Sequence, residues 1–342
     1  MSSQRHRPPA ITDVARAAGV SYQTVSRVVN NMPRVKPETR ERVLAAIREL
    51  GYRPNAAARA LVTGRGSTIA VVTTNTTLYG AASTIEGVEA AARLAGYTVS
   101  IVVLEERKGA DLLAQLGRQP LVGAIVLSHD QLSVRALRRL PADLPAVAVG
   151  GARTPGHPQA TLDDRLGAAD ATRYLLGLGH GTVHHIAIPV SGPRPSPREL
   201  GWRDALAEAG IPIPEPLQAS WHPRSAYEAG LVLADRGDVT AVLAGNDELA
   251  TGAIRAFHDR GLSVPRDISI IGFDDEPTTE FLVPSLTTVR QDFGAIGRRS
   301  VELLTTLLKG EQPTPRTQIV NTTLIVREST APPRLGGART HG

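Results

Sequence analysis

The sequence predicts a small all-α N-terminal unit with a helix-turn-helix and a hinge helix, followed by an α/β domain of two doubly wound parallel-sheet lobes. Residues 11–50 show helical apolar spacing, residues 53–67 are rich in alanine and glycine, and apolar runs alternate with helical stretches after residue 66. At 342 residues and 42% hydrophobic, the chain can bury the cores of two or three compact units.

The first two helices are predicted on either side of a glycine. Apolar residues at helical spacing in the first are Ile11, Val14, Ala15 and Ala18. The second has its apolar stripe at Val25, Val28 and Val29. Gly19 permits a sharp turn, and Ser21 is a candidate N-cap for the second helix. Such a pair forms a helix-turn-helix, whose second helix enters the major groove of DNA.

The polar face of the second helix carries side chains suited to reading DNA. In the stretch SYQTVSRVVN its outward residues are Tyr22, Gln23, Ser26 and Arg27. Glutamine can form two hydrogen bonds to adenine, arginine can do so to guanine, and tyrosine can pack on a base or bond a phosphate. Many helical hairpins also carry polar outer faces, so this pattern alone leaves their function open.

A third helix is predicted in KPETRERVLAAIRELGY. Pro37 suits its first position, and Gly51 suits its left-handed end. Its inward stripe is Val43, Ile47 and Leu50. Three such helices can bury one small core.

The segment RPNAAARALVTGRGS contains a short alanine-rich helix between Pro54 and its glycines. A helix below about 12–15 residues is marginal in water, so we expect it to order only against a partner. A plain linker is the alternative.

The net positive charge of the chain is confined to its first 62 residues. Residues 1–62 contain 11 Lys and Arg against 4 Asp and Glu, a net charge of +7, whereas residues 63–342 contain 27 against 29, a net charge of −2. This division indicates that the N-terminal unit meets a polyanion while the rest performs another task. A solvated basic surface is the alternative.

Several functional classes are excluded by composition. The chain has no cysteine, so it has neither disulfides nor thiolate chemistry. It lacks an apolar run of about 20 residues and a secretory signal, so we expect a cytoplasmic protein without membrane insertion. GxSxG, HExxH and P-loop patterns are missing, and His184 and His185 point to opposite faces of a strand, so we expect no catalysis and no metal site.

The α/β domain is predicted from short apolar runs separated by helical stretches. These runs are IAVVT (69–73), VSIVVL (99–104), GAIVL (123–127), AVAVG (146–150), HHIAIP (184–189), TAVLAG (240–245) and ISIIGF (268–273). Strands buried on both faces argue for parallel sheets, and their number favours two lobes. A ligand of such a fold lies at the carboxyl ends of the strands, where closure of the lobes can enclose it.

Polar residues suited to a sugar follow two of these strands. A sugar needs carboxylates, amides and arginine for its hydroxyls, with an aromatic ring against its face. Asn246 and Asp274 directly follow strands. The alternatives are that Asp274 and Asp275 cap the next helix, or that Asp274, Asp275 or Glu276 act as paired acid and base in a carbohydrate-active enzyme.

The stretches ITDVARAAGVSYQTVSRVVN and TRERVLAAIRELGYRPNAAARAL resemble the DNA-binding headpiece of the lactose-repressor (LacI/GalR) family of bacterial transcription regulators. The recognition stretch is closer to that of the family's namesake than membership requires. The resemblance implies base reading by Tyr22, Gln23 and Arg27. It implies phosphate contact or support by Thr24, Ser26, Asn30 and Asn55. Ala58 and Leu61 would lie at the minor groove, with Leu61 as a wedge at a central CG step.

The resemblance extends to about residue 328 through GNDELATGAIRAF, SIIGFDDEP and PSLTTVRQDFGAIG, in a fold shared with periplasmic sugar-binding proteins. Positions matching the family's inducer site are Arg198, Trp221, Asn246, Asp274, Gln291 and Phe293, which favours a galactoside-like sugar. Gly150 and Leu127 stand where polar residues are found in the namesake, and the segment TTNTTLYGAAS is one residue longer. Another β-galactoside, another disaccharide or a modified monosaccharide therefore remains open.

The domain boundaries follow from these assignments. We expect a headpiece at 1–54 and a hinge at 55–66. An effector-binding and dimerisation domain is expected at 67–328. Its first lobe is 67–164 plus 292–318 and its second is 165–291 plus 319–328. The tail, residues 329–342, is rich in Pro and Gly without heptads, so we expect it to be disordered and the protein to be a homodimer.

The function implied is that of a repressor released from a pseudo-palindromic operator by a sugar effector, with no other cofactor. The same regulator class with a different sugar or with a co-repressor is the alternative. A carbohydrate-active enzyme leaves the basic helical unit unexplained. A nonspecific DNA-compacting protein leaves the cleft unexplained.

Overall fold

Two compact units make up the chain, residues 1–67 and 68–342. The computed structural model describes residues 9–29, 32, 35–52, 67–105, 116, 120–151, 154–189 and 195–334. The predicted hinge, residues 55–66, lies outside these residues.

The N-terminal unit is a bundle of helices α1 (Ile11–Ala18), α2 (Tyr22–Val29) and α3 (Pro37–Leu50). Gly19 ends α1 with a φ of +63°, a left-handed conformation that glycine adopts without strain. Its buried core consists of Val14, Ala15, Ala18, Val25, Val28, Val43 and Ala46. The predicted stripes are thus confirmed at their centres, whereas Ile47 and Leu50 are only partly buried because Ala46 occupies the inward position of α3.

The first lobe is built on a parallel sheet with the order β11-β5-β4-β3-β1-β2. Its strands are β1 (Thr68–Thr73), β2 (Thr98–Val103), β3 (Leu121–Leu127), β4 (Ala146–Val149), β5 (Gln159–Leu162) and β11 (Thr317–Val320). Helices α4 (Tyr79–Leu94) and α10 (Phe293–Leu308) cover one face, and α5 (Gln131–Arg139) packs on the other. Helices on both faces explain why the strands read as continuous apolar runs.

The second lobe repeats this arrangement in a sheet with the order β12-β10-β9-β8-β6-β7. Its strands are β6 (His184–Ala187), β7 (Leu217–Gln218), β8 (Ala241–Ala244), β9 (Ser269–Asp274), β10 (Thr287–Arg290) and β12 (Thr323–Ile325). Helices α6 (Asp164–Gly177) and α7 (Pro197–Glu208) share one core, and α8 (Pro223–Asp235) and α9 (Asp247–Asp259) share the other. A short 3₁₀ helix spans Thr279–Phe281, and β12 alone runs antiparallel to its neighbour β10. The predicted fold class is confirmed.

The chain crosses between the lobes three times, as expected, but the third crossing comes later than predicted. Ile319 and Val320, assigned to the second lobe from the sequence, pair with Thr161 and Leu162 in the first sheet. Asp164 already opens a helix of the second lobe. These shifts arise because strand pairing, which spacing does not reveal, decides where an element belongs.

The tail was predicted to be disordered, but its first part, residues 329–334, is ordered against the second lobe. Ser329 is fully buried, its backbone oxygen accepts from Ile270 N at 3.0 Å, and its hydroxyl accepts from Thr287 N at 2.8 Å. Ala331 N donates to Ser269 Oγ at 3.0 Å. Backbone hydrogen bonds hold this segment against the second lobe, and a composition rich in proline and glycine gives no sign of them. Residues 335–342 lie outside the described part.

Helices α4 and α10 of the first lobe touch backbone to backbone. A Cβ at Gly297 would lie 2.7 Å from Thr84 O and from Val88 N, closer than real Cβ atoms come. The contact places Phe293, the first residue of α10, beside the first turn of α4.

We expect Gly297→Ala to lower the free energy of unfolding by about 1–3 kcal/mol, because the added methyl group forces the two helices apart. Urea denaturation followed by circular dichroism measures this. The matched control is Gly177→Ala at the end of α6, where a Cβ meets no atom within 4 Å. An equal loss in both variants would contradict the close-contact account.

Candidate functional site

A cavity of about 570 Å³ lies at the carboxyl ends of strands from both lobes. Pockets that bind small molecules usually measure about 300–1,000 Å³. All the effector residues predicted from the sequence lie on its wall, namely Arg198, Trp221, Asn246, Asp274, Gln291 and Phe293. The structure therefore brings together residues spread over almost a hundred positions.

The Arg198 guanidinium is the centre of the polar wall. Its Nη2 donates to Asp274 Oδ1 at 3.1 Å and to Gln291 Oε1 at 2.8 Å. Its Nε donates to Asp164 Oδ2 at 3.4 Å, and its Nη1 donates to the Gly245 carbonyl. Gln291 in turn donates to Asp164. Asp164 thus joins a site in which the sequence did not predict it, since only tertiary contacts bring it there.

Local structure fixes the position of Arg198. Ser196 caps α7 by accepting from Glu199 N at 3.1 Å, and Pro197 occupies the first helical position. Arg198 therefore lies in the first turn, at the end of the helix that faces the cavity. Its guanidinium stacks over the Phe273 ring, 4.1 Å from the centroid, and only 7% of the residue is exposed.

The backbone is strained where β9 reaches the cavity. Asp274 and Asp275 have φ values of 114° and 58°, a region that non-glycine residues rarely occupy. Asp275 forms ion pairs with Arg290 at 2.6 Å and Arg327 at 2.7 Å. Neither aspartate caps a helix, so that alternative is wrong. Strain of this kind concentrates at functional sites.

Asn246 and Asp247 follow β8 and open α9. Asn246 caps the helix by accepting from Leu249 N at 2.9 Å through its side-chain oxygen. Asp247 is buried beneath the site, where it accepts from Thr288 Oγ1 at 2.6 Å and from Glu276 N at 2.8 Å. The buried carboxylate of Asp247 was not predicted from the sequence.

Aromatic rings from both lobes face the cavity. Trp221 of the second lobe meets His129 of the first edge to face, with ring centroids 6.4 Å apart. Trp221 also packs on the core of its own lobe, so it stabilises that lobe and lines the cavity at the same time. Phe293 meets Tyr79 in the same geometry at 5.7 Å. These rings supply apolar surface on which the CH face of a sugar can pack.

His129 belongs to a polar cluster that the sequence did not reveal. Thr74 Oγ1 lies 3.1 Å from His129 Nε2 and also bonds the Asp130 carboxylate. Burial lowers the pKa of His129, which leaves the ring neutral at pH 7. The cluster anchors the wall of the first lobe where β1 and β3 end.

Burial shifts the titration of the carboxyl groups beside the cavity. It raises the pKa of Asp274 above its usual range, although the Arg198 guanidinium opposes the shift and keeps the carboxylate in its ion pair. It also raises the pKa of Asp247 and of Glu276 to about 7. Asp247 and Glu276 therefore hold protons at a pH at which ordinary carboxyls have lost them.

Two first-lobe residues that stand where the family's namesake has polar residues lie on the wall of the same cavity. Gly150 and Leu127 both line it, at the ends of β4 and β3. Gly150 has a φ of +68°, and a Cβ there would meet no atom within 4 Å. This part of the wall therefore offers space and apolar surface where the sequence resemblance implies a polar contact.

The helical unit presents the predicted reading residues to solvent. Tyr22, Gln23 and Arg27 are exposed on α2, while Val25 and Val28 anchor it. Ser21 caps the helix by accepting from Thr24 N at 3.2 Å, and the two hydroxyls lie 2.9 Å apart. Ser26 is partly buried on the same helix.

Arg42 fixes the turn between the first two helices. From α3 its Nη2 donates to Ala18 O at 2.8 Å and to Gly19 O at 3.4 Å, across 24 and 23 residues. It thereby orients α2, a positioning role that sequence spacing did not suggest. Asn30, Asn55, Ala58 and Leu61 lie outside the described residues.

The described part of the chain has neither a metal-binding group of side chains nor a membrane-spanning helix. It contains no group of three or more His, Asp or Glu side chains arranged for a metal, and no helix long and apolar enough to cross a membrane. His185 bonds Leu243 O at 2.9 Å and packs 5.3 Å from the Trp202 ring, while burial lowers its pKa to about 4. It is a core residue.

Family models match both units. Residues 10–55 match the model of bacterial regulatory proteins of the lacI family. Residues 172–330 match the periplasmic binding protein-like domain. The first match covers the helix-turn-helix, and the second covers most of the second lobe.

Similar proteins span nearly the whole chain. The lactose operon repressor of Escherichia coli (strain K12) is 32% identical over 337 residues, covering 96% of this chain and 92% of the repressor. The transcriptional regulator CelR of Thermobifida fusca is 34% identical over 348 residues, covering 95% of this chain and 99% of CelR.

Solved structures are similar to this chain over nearly its whole length. The lac repressor dimer bound to operator and the anti-inducer ONPF has a TM-score of 0.86 at 31% identity, covering 95% of this chain and 100% of that one. A CelR–cellobiose complex has a TM-score of 0.71 at 30% identity, covering 94% and 99%.

We expect Asp247→Asn to gain stability relative to the natural chain as pH rises. The pKa of Asp247 is raised from 3.8 to about 7 in the folded protein. The stabilisation from its bound proton is therefore complete below about pH 4 and is lost as pH rises through 7. Asparagine does not titrate, so the difference should shift by about 2 kcal/mol between pH 5 and pH 7.

Urea denaturation at several pH values measures this shift. The matched control is Asp143→Asn in an exposed turn, which makes the same substitution at a side chain in contact with solvent. The assignment of Asp247 is wrong if its variant behaves like the control.

Proposed function

Because this chain belongs to the lactose-repressor family of bacterial transcription regulators, we propose that it represses carbohydrate-utilisation genes and leaves its operator when a sugar binds the cleft. The observation that carries the proposal is the cavity between the lobes, on which every residue predicted to bind the sugar lies. A co-repressor acting through the same cavity is the alternative within this class.

DNA recognition is assigned to α2. Gln23 and Arg27 carry the side chains that bond adenine and guanine edges, and Tyr22 can pack beside them. Thr24, Ser26, Asn30 and Asn55 support contacts to phosphates. The +7 charge of residues 1–62 supplies the attraction to DNA that does not depend on sequence.

Assembly as a homodimer would let two helical units read the halves of a pseudo-palindrome. The similar lac repressor is a dimer on its operator, and we assign this arrangement to the present chain. Two hinge segments would then meet at the centre, with Ala58 in the minor groove and Leu61 inserted at a CG step. Bending of the DNA toward the protein would offset the cost of that wedge.

The effector is assigned as a galactoside-like sugar. The Arg198, Asp274 and Gln291 side chains can exchange hydrogen bonds with ring hydroxyls, and Asn246 has its amide NH₂ to donate. Trp221 supplies a platform for the CH face of the ring. Gly150 widens the opposite wall, so a second unit attached to the ring has room.

Release requires that the sugar prefer one arrangement of the lobes. A ligand of equal affinity for both states shifts nothing, however tightly it binds. The network of Arg198, Asp164 and Gln291 lies beside two of the crossings between the lobes. A sugar that takes over these hydrogen bonds would favour a different angle between the lobes and separate the hinge segments.

An operator titration tests the function. Purified protein is bound to a labelled palindromic duplex, and sugars are added while fluorescence anisotropy is followed. Release by a galactoside supports the proposal, and tighter binding indicates a co-repressor. Turnover of a glycoside would instead show an enzyme, and binding of any duplex without a sugar effect would show a nonspecific DNA-binding protein.

Arg27→Ala should relax discrimination at one base position by about 10–100-fold, because one bidentate contact is worth about 1–3 kcal/mol. Affinities for a set of single-base operator variants measure this. Arg48→Ala, which removes the same charge from an exposed position of α3, should leave site preference unchanged. Unaltered preference in the Arg27 variant would remove this residue from the reading face.

Asp274→Ala should keep operator affinity within about 2-fold but abolish release by sugar, because a partner of Arg198 and a ligand to hydroxyls are both lost. Anisotropy with and without sugar provides the readout. Asp143→Ala is the control and should respond normally. A normal response of the Asp274 variant would refute its role in the effector site.

A further inference from the structure

The charged groups of the cavity are divided unequally between the lobes. Cationic side chains on its wall are Arg135, Arg138 and Arg198, and anionic ones are Asp164 and Asp274. Arg198 already has both carboxylates as ion-pair partners, at 3.4 and 3.1 Å. The charge left over therefore belongs to the first lobe.

Helix α5 directs a polar stripe at the cavity. Four of its residues line the wall, at spacings of three, one and three positions: Gln131, Val134, Arg135 and Arg138. That spacing places them on one face of the helix, with the two arginines as neighbours. Arg139, the next residue, does not line the cavity.

Among the residues that the structure describes, neither of these two arginines has an acidic partner. Arg135 Nη2 donates to the neutral Gln131 side chain at 3.1 Å. Among the described residues no carboxylate lies within 4 Å of either guanidinium. Asp130, the acid nearest to Arg135 in sequence, is already bonded to Ser133 N at 2.8 Å and to Thr74. Within the described part of the chain, the exposed guanidinium groups of Arg135 and Arg138 therefore face the cavity without a carboxylate partner.

We propose that the effector carries an anionic group, a carboxylate or a phosphate, that binds Arg135 and Arg138 while its hydroxyl-bearing ring binds the Arg198 wall. Guanidinium groups bond such oxygens in pairs, which gives both strength and orientation. This inference rests on the proposed function and makes its ligand class more specific.

The cavity has the size and arrangement for such a ligand. At about 570 Å³ it exceeds what a single hexose fills. Arg198, which would bind the sugar ring, lies in the second lobe, and α5 lies in the first. One ligand that reaches both would therefore contact both lobes. The anionic group would thereby add binding energy to whichever lobe arrangement brings α5 toward the ring site.

Isothermal titration of the full-length protein with matched probes tests the inference. One pair is lactitol and lactobionate, two open-chain galactosides that differ by a carboxylate in place of a hydroxymethyl group. The other is galactose and galactose 6-phosphate, which differ by a phosphate. We expect the anionic member of at least one pair to bind about 10-fold tighter than its neutral partner. The pair that shows the preference identifies the group.

The double variant R135Q/R138Q should reduce that preference below about 2-fold while the neutral partner binds as before. R139Q, which removes a charge from the same helix outside the cavity, should retain the full preference. Absence of a preference in the natural chain, or its survival in the double variant, overturns the inference.

The same titrations separate this inference from the proposed function. Neutral sugars that bind and release the operator without any advantage for anionic ones would overturn the inference alone. Probes that bind with the expected preference but leave the operator complex intact would overturn the release mechanism alone. If none of the four binds, both the anionic site and the galactoside assignment are wrong.

Discussion

A buried guanidinium holds the site between the lobes together. Removing such a charge from water costs several kcal/mol unless partners compensate it, and Arg198 has Asp164, Asp274 and Gln291. Two of these partners, Asp164 and Gln291, lie where the chain passes from one lobe to the other. The proposed ligand site and the connection between the lobes therefore depend on the same hydrogen bonds.

The two lobes contribute different chemistry to one cavity. The second lobe offers a compensated polar network beside strained backbone at Asp274, which suits hydroxyl groups. The first lobe offers aromatic surface, open space at Gly150 and the guanidinium groups of Arg135 and Arg138. A ligand that satisfies both walls must span the cleft, so its binding is linked to the arrangement of the lobes.

Sequence periodicity was sufficient for the architecture and for part of the site. Val25 and Val28 marked the buried side of α2, and the polar residues after two strands marked the cleft because parallel strands end at one edge. The contacts of Asp164, His129 and Arg42 could not be predicted, since each is made with residues distant in the chain. Ser329 was misjudged for a related reason, because backbone hydrogen bonds leave no trace in composition.

In the proposed function, one ligand in the cleft alters the affinity of the protein for DNA. The direct test is to measure the affinity of the same sugar for free protein and for operator-bound protein by titration calorimetry. Linkage predicts that the sugar binds the free protein more tightly, by the same factor by which it weakens operator binding. Equal affinities for both forms would contradict the account.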